Sequence, residues 1–303
     1  MGKSNLYELF ENENFGKILY NEPMKNHTSF KIGGPADILI IPDNEQDIID
    51  AIKFCRNNDV KYFIMGNGTN LLVKDTGIRG VVIKVANGFD KIDVNNDILI
   101  CQSGALLSKI AKVALRNSLA GFEFASGIPG SIGGAITMNA GAYGGEMKDI
   151  VTKVKVLDRD NNVVEFTNDE MKFRYRGSEV IDQELVVLGV EIKLEKEEYS
   201  LIDEKMRDFT DRRISKQPLE FPSGGSTFKR PEGYYAGKLI DDAGLRGVRY
   251  RDAQVSEKHC GFIINTGEAT FEDVITLIKT VQKIVHDKFG VKLETEIKII
   301  GDD

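Results

Sequence analysis

The stretch SGIPGSIGGAITMNAGAYGGE, residues 126–146, contains seven glycines among its 21 residues. Glycine-rich loops that follow strands expose backbone N–H groups, and these groups can bind phosphate. The serine, threonine and asparagine residues between the glycines add uncharged hydrogen-bond donors, a mixture that suits a pyrophosphate. The apolar residues Ile128, Ile132, Ile136 and Met138 indicate that the stretch packs against a core. We therefore favour a phosphate-binding loop, and a plain surface loop is the alternative.

A second glycine loop, GNGTNLL, occupies residues 66–72. Taken alone, it is most typical of a hairpin turn. Neither loop is a Rossmann fingerprint, because Leu71 stands where a third glycine is required and Pro129 interrupts the longer stretch. The segment GYYAGKL, residues 233–239, fails as a Walker loop, since it is one residue short and ends in Leu239 rather than serine or threonine. Neither of these two motifs therefore explains the glycines.

The rest of the chain mixes short strands with amphipathic helices. Apolar runs bounded by glycine, proline or polar residues predict strands at residues 38–41, 62–65, 80–85, 97–104, 184–195, 262–265 and 291–300, and a hairpin over 151–166. Helical spacing predicts helices at residues 45–58, 105–119, 202–217 and from Thr270 to Gly290. This mixture predicts an α+β fold rather than a doubly wound parallel sheet. A change in composition at residues 195–201 predicts a domain boundary between residues 198 and 199.

The segment PSGGSTFKRP, residues 222–231, places two glycines directly before a serine, Ser226. Glycine is used where the backbone bends unusually or comes close to a ligand, and a tight turn is the alternative explanation. Cations follow the serine, and an anionic ligand would need a local cluster of such charges in a chain whose net charge is −7. The candidate cationic cluster consists of Lys216, Lys229, Arg230 and, alongside them, Lys238.

Composition argues against several classes of function. The net charge of −7 argues against a nucleic-acid-binding protein. The three cysteines form no CxxC pair, which indicates free thiols in a reducing compartment and no structural zinc. No two of the three histidines lie within helical reach, so we expect no histidine-built metal site. No apolar run approaches the ~20 residues that cross a bilayer, and the N-terminus is not a signal peptide. We therefore expect a cytoplasmic protein without membrane insertion.

Read together, several segments resemble the UDP-N-acetylenolpyruvoylglucosamine reductase (MurB) family, whose members are flavoenzymes of bacterial peptidoglycan precursor synthesis. The matching segments are NHTSFKIGGPAD (26–37), GNGTNLLV (66–73), GIPGSIGGAITMNAGAYGGE (127–146), FRYRGS (173–178), RRISKQP (212–218), SGGSTFKRP (223–231), AGKLID (236–241), HCGFIIN (259–265) and LETEIKIIG (293–301). They occur in the family's order and span nearly the whole chain. The chain has no room for the inserted substrate-covering loop of one branch, so it resembles the shorter branch, often called type II.

The resemblance implies an FAD-binding fold of the vanillyl-alcohol oxidase (PCMH) type, with two α+β lobes and noncovalent FAD between them. It assigns residues 1–198 to the FAD-binding domain, with lobes of about 1–84 and 85–198, and residues 199–303 to a substrate-binding domain. The implied reaction uses NADPH to reduce FAD, and the enolpyruvyl sugar nucleotide then enters the same site. Hydride passes to the enol ether, and the product is UDP-N-acetylmuramate.

The resemblance also implies a set of site residues. Hydride addition leaves negative charge on the carbon next to the carboxylate, so the site needs donors for that charge and a general acid. The implied catalytic residues are Ser226 as general acid, Arg176 facing the substrate carboxylate, and Glu296 polarising the enol ether. The implied cofactor residues are Gly66, Asn67, Gly68, Thr69, Asn70, Gly130, Ser131, Gly133, Gly134, Asn139, Ala140, Gly141 and Arg213. The implied substrate residues are Tyr175, Lys216, Lys229, Arg230 and His259.

The chain departs from the family pattern at Thr295, where relatives usually have proline, and at Arg230 and His259, where some have asparagine and glutamine. Two other functions remain as alternatives. One is a flavin oxidase of the same fold that acts on an alcohol, which should lack Ser226 and Glu296. Because neither glycine loop contains cysteine or histidine, noncovalent FAD is favoured over covalent attachment. The other is a nucleotide-sugar binding protein without redox activity, which would leave the glycine loops unexplained.

Overall fold

The computed structural model describes residues 2–86 and 88–302. The helices are α1 (Lys3–Phe10), α2 (Glu45–Asn57), α3 (Leu107–Arg116), α4 (Ile132–Thr137), α5 (Glu179–Asp182), α6 (Tyr199–Lys216), α7 (Ala236–Asp242) and α8 (Phe271–Phe289). Single 3₁₀ turns lie at Met24–Asn26, Glu123–Ala125 and Met147–Asp149. The strands are β1 (Lys17–Pro23), β2 (Pro35–Ile41), β3 (Tyr62–Met65), β4 (Leu71–Val73), β5 (Ile78–Lys84), β6 (Ile92–Asn95), β7 (Ile98–Gln102), β8 (Leu119–Ala120), β9 (Gly141–Ala142), β10 (Gly145–Glu146), β11 (Val151–Leu157), β12 (Val163–Thr167), β13 (Val186–Lys193), β14 (Glu195–Lys196), β15 (Arg249–Tyr250), β16 (Ala253–Val255), β17 (Ile263–Asn265) and β18 (Lys298–Ile300).

The chain divides into two compact units. The first unit consists of Met1–Leu19, Leu39–Asn67 and Val81–Arg213. The second unit consists of Tyr20–Ile38, Gly68–Gly80 and Ile214–Asp303. A compact unit reflects packing within a chain and is not the same thing as a family domain, so the domain boundary predicted at residues 198/199 stays a prediction.

The first unit is built on a five-stranded antiparallel sheet of order β12-β11-β13-β7-β6. Helix α3 contributes to the same core a single apolar face, which repeats at helical spacing. The residues of that face are Leu107, Ile110, Ala111, Ala114 and Leu115. Ile132 and Ile136 of α4 are fully buried in this core. The predicted packing of the glycine-rich stretch is therefore confirmed.

Two further elements of the first unit form where the sequence predicts them. Strands β11 and β12 make the predicted hairpin, with Leu157 opposite Val163. Helix α2 begins after Asn44, whose side chain accepts a hydrogen bond from Asp47 N at 3.0 Å, the usual capping geometry. The buried face of α2 contains the apolar residues at the predicted spacing, namely Ile48, Ile49, Ile52 and Cys55. Strand β3 pairs in parallel with the second half of β5, with Tyr62 opposite Val81.

The second unit contains a sheet of order β15-β16-β17, the parallel pair β18 and β4, and helices α7 and α8. Helix α8 begins with a capping box between Thr270 and Asp273 and ends at Gly290, which has φ +70°. The predicted limits of this helix are confirmed. The strand predicted over residues 291–300 was too long, because only Lys298–Ile300 forms regular strand. Residues just before it instead contact Thr227–Lys229, through an isolated bridge between Thr295 and Phe228.

Candidate active site

Each compact unit contains part of the predicted site. The first unit includes Gly66, Asn67, Gly130, Ser131, Gly133, Gly134, Asn139, Ala140, Gly141, Tyr175, Arg176 and Arg213. The second unit includes Gly68, Thr69, Asn70, Lys216, Ser226, Lys229, Arg230, His259 and Glu296. Within each unit, site residues that are far apart in sequence are neighbours. Gly66 contacts Ser131 in the first unit, and Asn70 contacts Glu296 in the second.

Gly66 of the shorter glycine loop lies against Ser131 of the longer one. A Cβ atom at position 66 would collide with Ser131 Oγ, so only glycine permits this approach. Ser131 is 2% exposed, and its hydroxyl finds no hydrogen-bond partner among the described residues. Ser103, just after β7, is in the same condition at 2% exposure. Buried hydroxyls without partners are costly, so each of these groups needs an explanation.

The backbone at the start of α4 is already bonded within the protein. Ile132 N–H donates to Ala105 O and Gly133 N–H donates to Ser103 O, each at 2.8 Å. Gly130, at φ +134°, accepts from Leu107 N at 3.1 Å. The N–H groups of Ile132 and Gly133 are therefore committed to the fold.

Asn139 holds the second half of the longer loop together. It has φ +42° and is 1% exposed. Its Nδ2 donates to Glu146 Oε2 at 2.9 Å and to Arg174 O at 3.2 Å, and its Oδ1 accepts from Lys148 N at 3.0 Å. The Asn139 side chain therefore links the glycine-rich loop to Glu146, Lys148 and Arg174.

Ala140 and Gly141 also stabilise the longer glycine loop through their backbone hydrogen bonds. Ala140 N–H donates to Ala135 O at 2.8 Å, and Gly141 pairs with Glu146 across the short β9–β10 ladder. A Cβ atom at position 141 would lie 2.7 Å from Gly145 O, so this close pairing requires glycine. The backbone of both residues is engaged in holding the loop.

Arg213, near the end of α6, lies beside the start of the glycine-rich stretch. A Cβ atom at Gly127 would lie 3.1 Å from Arg213 Cδ, so glycine leaves room for the arginine stem. Burial lowers the pKa of the guanidinium, and nearby Tyr143 opposes that shift. Tyr143 itself stacks on Phe209 with ring centroids 4.4 Å apart. The guanidinium is thus a half-buried cation at the edge of the loop.

Tyr175 and Arg176 form the tip of a two-residue turn. Arg174 and Gly177 close the turn through reciprocal backbone hydrogen bonds of 3.0 and 3.1 Å. Arg176 has φ +55°, a left-handed conformation that is uncommon outside glycine. Its Cζ atom lies 4.9 Å from the centre of the half-exposed Tyr175 ring. The turn therefore presents a guanidinium and an aromatic ring together.

A carboxylate, Glu146, is electrostatically coupled to Arg176. Partial burial alone would raise the pKa of Glu146. Hydrogen bonds from Lys148 and Asn139 and the charges of Lys148 and Arg176 outweigh burial and lower that pKa. Glu146 is therefore an anion within the electrostatic reach of Arg176, and it helps to balance that cation.

The two glycines before Ser226 are needed for different reasons. A Cβ atom at Gly224 would lie 2.5 Å from Phe30 Cε2 and 3.0 Å from Ile297 Cγ2, so close packing requires glycine there. Gly225 has φ +78°, and no described heavy atom lies within 4 Å of the position its Cβ atom would take. Here the backbone conformation, not space, requires glycine. The result is a sharp change of direction directly before Ser226.

Thr227 fixes the position of Ser226. It is fully buried, its N–H donates to Gly261 O at 2.8 Å, and its Oγ1 accepts from Ile263 N at 2.9 Å. Its carbonyl accepts from Glu296 N at 2.8 Å. Three hydrogen bonds in three directions therefore hold the residue that follows Ser226.

Glu296 is bonded on both sides through its backbone. Its N–H reaches Thr227, and its carbonyl accepts from Asn70 Nδ2 at 3.2 Å. Asn70 O in turn accepts from Lys298 N at 2.8 Å, and Gly68 O accepts from Ser29 N at 3.1 Å. The second unit thus brings Ser226, Glu296 and the end of the GNGTN loop into one bonded neighbourhood.

The neighbouring carboxylate, Glu294, is engaged differently. Lys229 Nζ lies 2.9 Å from Glu294 Oε2, and Lys229 N donates to Glu294 O at 2.8 Å. The hydrogen bond and charge of Lys229 lower the pKa of the exposed Glu294 side chain. Glu294 is therefore an exposed anion that is paired with Lys229.

Two of the other predicted cations, Arg230 and Lys238, have partners of their own. Arg230 lies over the Tyr235 ring, with Cζ 4.0 Å from its centre, and Lys238 pairs with Asp242 one turn further along α7. Lys216 is the exposed last residue of α6. The candidate cationic cluster therefore includes cations that are held by aromatic rings or carboxylates and would have to exchange those contacts for a phosphate.

His259 is half-buried, and its ring is held in one orientation. Burial is the main cause that lowers its pKa, and the positive charge of Arg246 lowers it further. Nδ1 accepts from Gly261 N at 3.0 Å, and Phe262 packs edge-on against the ring at 5.0 Å. The neutral ring therefore carries its proton on Nε2, where it can act as a donor.

Sequence reasoning missed Ser103 and Thr227. Ser103 lies near the end of the strand predicted over residues 97–104, and the sequence distinguishes neither it nor Thr227. Cys55, Cys101 and Cys260 are free and buried, and burial raises the pKa of Cys55 and Cys101 to about 12.

Two further properties of the described residues concern metal binding and membrane insertion. The part of the chain that the structure describes contains no group of three or more histidine, cysteine, aspartate or glutamate side chains that could hold a metal ion. Within residues 2–86 and 88–302, no helix combines the length and the apolar character that crossing a bilayer requires.

Comparison with known proteins matches both parts of the chain. Residues 36–167 match the model of an FAD binding domain, and residues 217–300 match the C-terminal domain of UDP-N-acetylenolpyruvoylglucosamine reductase. The reductase of Caldanaerobacter subterraneus subsp. tengcongensis is 57% identical over 95% of this chain and 95% of its own length. That of Clostridioides difficile is 51% identical over 94% of each chain.

A solved structure is similar over nearly the same extent. The crystal structure of UDP-N-acetylenolpyruvylglucosamine reductase (MurB) from Thermus caldophilus matches 93% of this chain and 98% of that chain, with a TM-score of 0.80 and 32% identity. These matches confirm the predicted α+β fold of the vanillyl-alcohol oxidase type with its C-terminal domain, the cofactor FAD and the oxidoreductase class. The chain belongs to the UDP-N-acetylenolpyruvoylglucosamine reductase family.

Proposed function

We propose that this protein reduces UDP-N-acetylenolpyruvoylglucosamine to UDP-N-acetylmuramate during peptidoglycan precursor synthesis, with NADPH as the hydride donor. Identity of 57% over 95% of the chain to a named reductase supports the reaction. The observation that carries the residue assignment is the hydrogen bond of 2.8 Å between Glu296 N and Thr227 O. This bond supports the proposal, because it joins the residue after Ser226 to Glu296, which is far away in sequence.

The residues of the glycine loops fit FAD. Ser131 has a buried hydroxyl without a partner among the described residues, and the lack of a side chain at Gly66 lets that hydroxyl pack against the Gly66 backbone. Neutral donors of this kind suit a pyrophosphate. When bound, FAD supplies the hydride relay between NADPH and the enol ether. The proposed cofactor residues are those of the two glycine loops, with Arg213 as a nearby cation.

Ser226 is proposed to deliver the proton that completes the reduction. Hydride addition to one alkene carbon leaves an electron pair on the other, next to the carboxylate. A hydroxyl is a weak acid, but this carbanion is a strong base, so Ser226 Oγ–H can protonate it. The backbone bonds of Thr227 would keep the hydroxyl at a fixed position during transfer, which is what general acid catalysis requires.

Arg176 is proposed to bind the substrate carboxylate, because its planar guanidinium can donate two hydrogen bonds and stabilise the charge that develops there. Glu296 would polarise the enol ether. Tyr175, Lys216, Lys229, Arg230 and His259 are proposed to contact the sugar nucleotide or NADPH. His259 serves as a neutral Nε2–H donor in this role, and Lys229 must release Glu294 in order to reach a phosphate.

The domain assignment and the location follow from the same proposal. Residues 1–198 would form the FAD-binding domain and residues 199–303 the substrate-binding domain. We place the protein in the cytoplasm, since its three thiols are free and its proposed substrates are nucleotides.

An anaerobic spectroscopic titration tests the reaction. The purified protein is followed in the visible range while NADPH and then UDP-N-acetylenolpyruvoylglucosamine are added. We expect the flavin band to bleach with NADPH and to return with the sugar nucleotide. A band that returns only with oxygen would support the oxidase alternative. A chain that takes up no flavin and still binds the sugar nucleotide would support the binding-protein alternative.

Substitution Ser226→Ala tests the acid. The variant should bind FAD and be reduced by NADPH as the wild type is, while turnover falls by roughly 10²–10⁴-fold. Ser223→Ala removes a hydroxyl three residues earlier in the same segment, and it should turn over normally. Normal turnover by Ser226→Ala would rule out the assigned acid and would leave the overall reaction standing.

A further inference from the structure

The carboxylate of Glu146 is held in one orientation by several hydrogen bonds. Its Oε2 accepts from Asn139 Nδ2 at 2.9 Å and lies 3.0 Å from Lys148 Nζ. The Glu146 side chain also accepts from the backbone N–H of Asp149, whose carboxylate in turn accepts from Glu146 N at 2.8 Å. The Glu146 side chain is 31% exposed, so water reaches only part of it. This bonding exceeds what an ordinary surface glutamate needs.

Asn139 links Glu146 to the turn that carries Arg176. Its Oδ1 accepts from Lys148 N at 3.0 Å, and its Nδ2 donates both to Glu146 Oε2 and to Arg174 O at 3.2 Å. A carboxylate can only accept hydrogen bonds, so Glu146 fixes the amide with its NH₂ group directed at Arg174 O. The same carbonyl accepts from Gly177 N at 3.1 Å, the bond that closes the turn.

Glu146 also acts on Arg176 through its charge. Burial raises the pKa of Glu146, but the hydrogen bonds of Lys148 and Asn139 and the charges of Lys148 and Arg176 lower it. An anion that attracts Arg176 opposes the binding of a second anion to the same guanidinium. Orientation of the turn and the negative charge of Glu146 therefore affect the binding of a carboxylate ligand in opposite directions.

We propose that Glu146 is a positioning residue of the substrate site, which acts through Asn139 to hold the turn that presents Arg176 to the substrate carboxylate. The inference rests on the proposed role of Arg176. That residue has φ +55°, a conformation that persists only where neighbouring contacts maintain it. The bonds between Arg174 and Gly177 close the turn, and Asn139 ties the turn to the glycine-rich loop. Without Glu146, the turn should keep its own bonds and lose its fixed position relative to that loop.

Calorimetry with two ligands tests the orientation without turnover. Oxidised protein loaded with FAD is titrated with UDP-N-acetylenolpyruvoylglucosamine and with UDP-N-acetylglucosamine, which lacks the carboxylate. We expect Glu146→Ala to weaken binding of the first ligand by about tenfold, the equivalent of one charge-assisted hydrogen bond, and to leave binding of the second unchanged. Alanine also removes a negative charge near Arg176, and that change alone would strengthen binding of the carboxylate. Weaker binding would therefore report a loss of orientation.

Glu146→Gln separates the hydrogen bond from the charge. Glutamine keeps an oxygen that can accept from Asn139, but it carries no charge. We expect it to bind UDP-N-acetylenolpyruvoylglucosamine as tightly as the wild type or more tightly, and so to restore what alanine loses.

The two half-reactions give a second readout, with Glu170→Gln as the matched control. Glu170 is a capping carboxylate of the same unit, and it accepts from Thr167 N at 2.8 Å and Thr167 Oγ1 at 2.7 Å. In anaerobic stopped-flow measurements, Glu146→Ala should slow reoxidation of the reduced flavin by the enolpyruvyl substrate by roughly 10–10²-fold. Reduction by NADPH should be unchanged in that variant. Glu170→Gln should leave both half-reactions and both affinities unchanged.

Three results would overturn the inference. One is a Glu146→Ala variant that keeps the wild-type preference for the enolpyruvyl ligand over UDP-N-acetylglucosamine. Another is equal weakening of both ligands together with loss of FAD, which would mean that Glu146 supports the fold in general. The third is a Glu146→Gln variant as weak as the alanine variant, which would mean that the bond to Asn139 does not hold the turn. Failure of the proposed function looks different, because the wild type itself would then bind both ligands equally and would not be reoxidised by the enolpyruvyl substrate.

Discussion

The substitution Thr227→Val separates the positioning of Ser226 from its chemistry. Valine has nearly the shape of threonine, so the packing of this fully buried side chain is kept while Oγ1 is lost. Ile263 N–H, which donates to that oxygen at 2.9 Å, then remains buried without an acceptor. An unsatisfied buried donor costs about 1–3 kcal/mol. The backbone bonds of Thr227 to Gly261 and Glu296 remain, so we expect a loosened segment and not an unfolded one.

Urea unfolding and turnover measure the two consequences. With a urea slope of about 2 kcal/mol per M, a loss of about 2 kcal/mol lowers the unfolding midpoint by about 1 M. Displacement of Ser226 by a fraction of an ångström to 1 Å should lower kcat by roughly 10–10²-fold while FAD is retained. The matched control is Thr227→Ser, which keeps the oxygen and removes a methyl group. It should cost about 1 kcal/mol in stability, with kcat close to that of the wild type.

The urea midpoints and kcat values of Thr227→Val and Thr227→Ser show whether the Thr227 hydroxyl holds Ser226 in position. If Thr227→Val unfolds at the wild-type urea concentration, the hydrogen bond to Ile263 does not hold this segment. If both variants lose stability but kcat falls equally in each, packing and not the hydroxyl positions Ser226.

Gly224→Ala should cost about 1–3 kcal/mol by overpacking against Phe30, whereas Gly225→Ala should cost about 1–2 kcal/mol through its left-handed backbone alone. Asparagine, which tolerates that backbone, should therefore cost less than alanine at position 225 and more at position 224, as urea midpoints will show. Burial raises the pKa of Cys55 and Cys101 to about 12. The free energy of unfolding is therefore unaffected by these thiols below the unfolded-state pKa near 9. It falls as pH rises from about 9 to about 12, by about 1.4 kcal/mol per pH unit for each thiol, because only the unfolded chain loses the proton in that range. Alanine variants of both should show a shallower alkaline loss of stability than the wild type in urea titrations from pH 8 to 11, and equal slopes would contradict the burial effect.

The elements that the sequence predicts best are those whose determinants are local. Helix α2 has its apolar residues at helical spacing and a capping asparagine, Asn44, directly before it. Helix α8 has its capping box and its terminal glycine within its own segment. The burial of Ile132 and Ile136 follows from apolar residues placed four apart in a glycine-rich stretch. In each case the information needed lies within about twenty residues.

The features that the sequence could not supply depend on long-range pairing. The strand predicted over residues 291–300 has the right composition, yet residues 294–296 contact the segment around Thr227 and only the last residues join β4. The partner of Glu294 is Lys229, which is distant in sequence. The two adjacent glycines before Ser226 look equivalent as letters, although Phe30 restricts only one of them. The unsatisfied hydroxyl of Ser103 is visible only once α4 has been placed beside it.

Two of the predicted catalytic residues, Arg176 and Ser226, lie at or directly after a residue with left-handed backbone conformation. Arg176 itself has φ +55°, and Ser226 directly follows a glycine at φ +78°. Left-handed residues other than glycine cost about 1–3 kcal/mol and persist where neighbouring contacts enforce them. Those contacts are the Arg174–Gly177 bonds around the arginine and the bonds of Thr227 beside the serine. In both motifs, the residues that make these backbone hydrogen bonds lie within three positions of the side chain that they orient. If Arg176 and Ser226 have the proposed roles, this arrangement explains why FRYRGS and SGGSTFKRP are recognisable as units, because each motif contains both the reacting group and the residue that holds it in place.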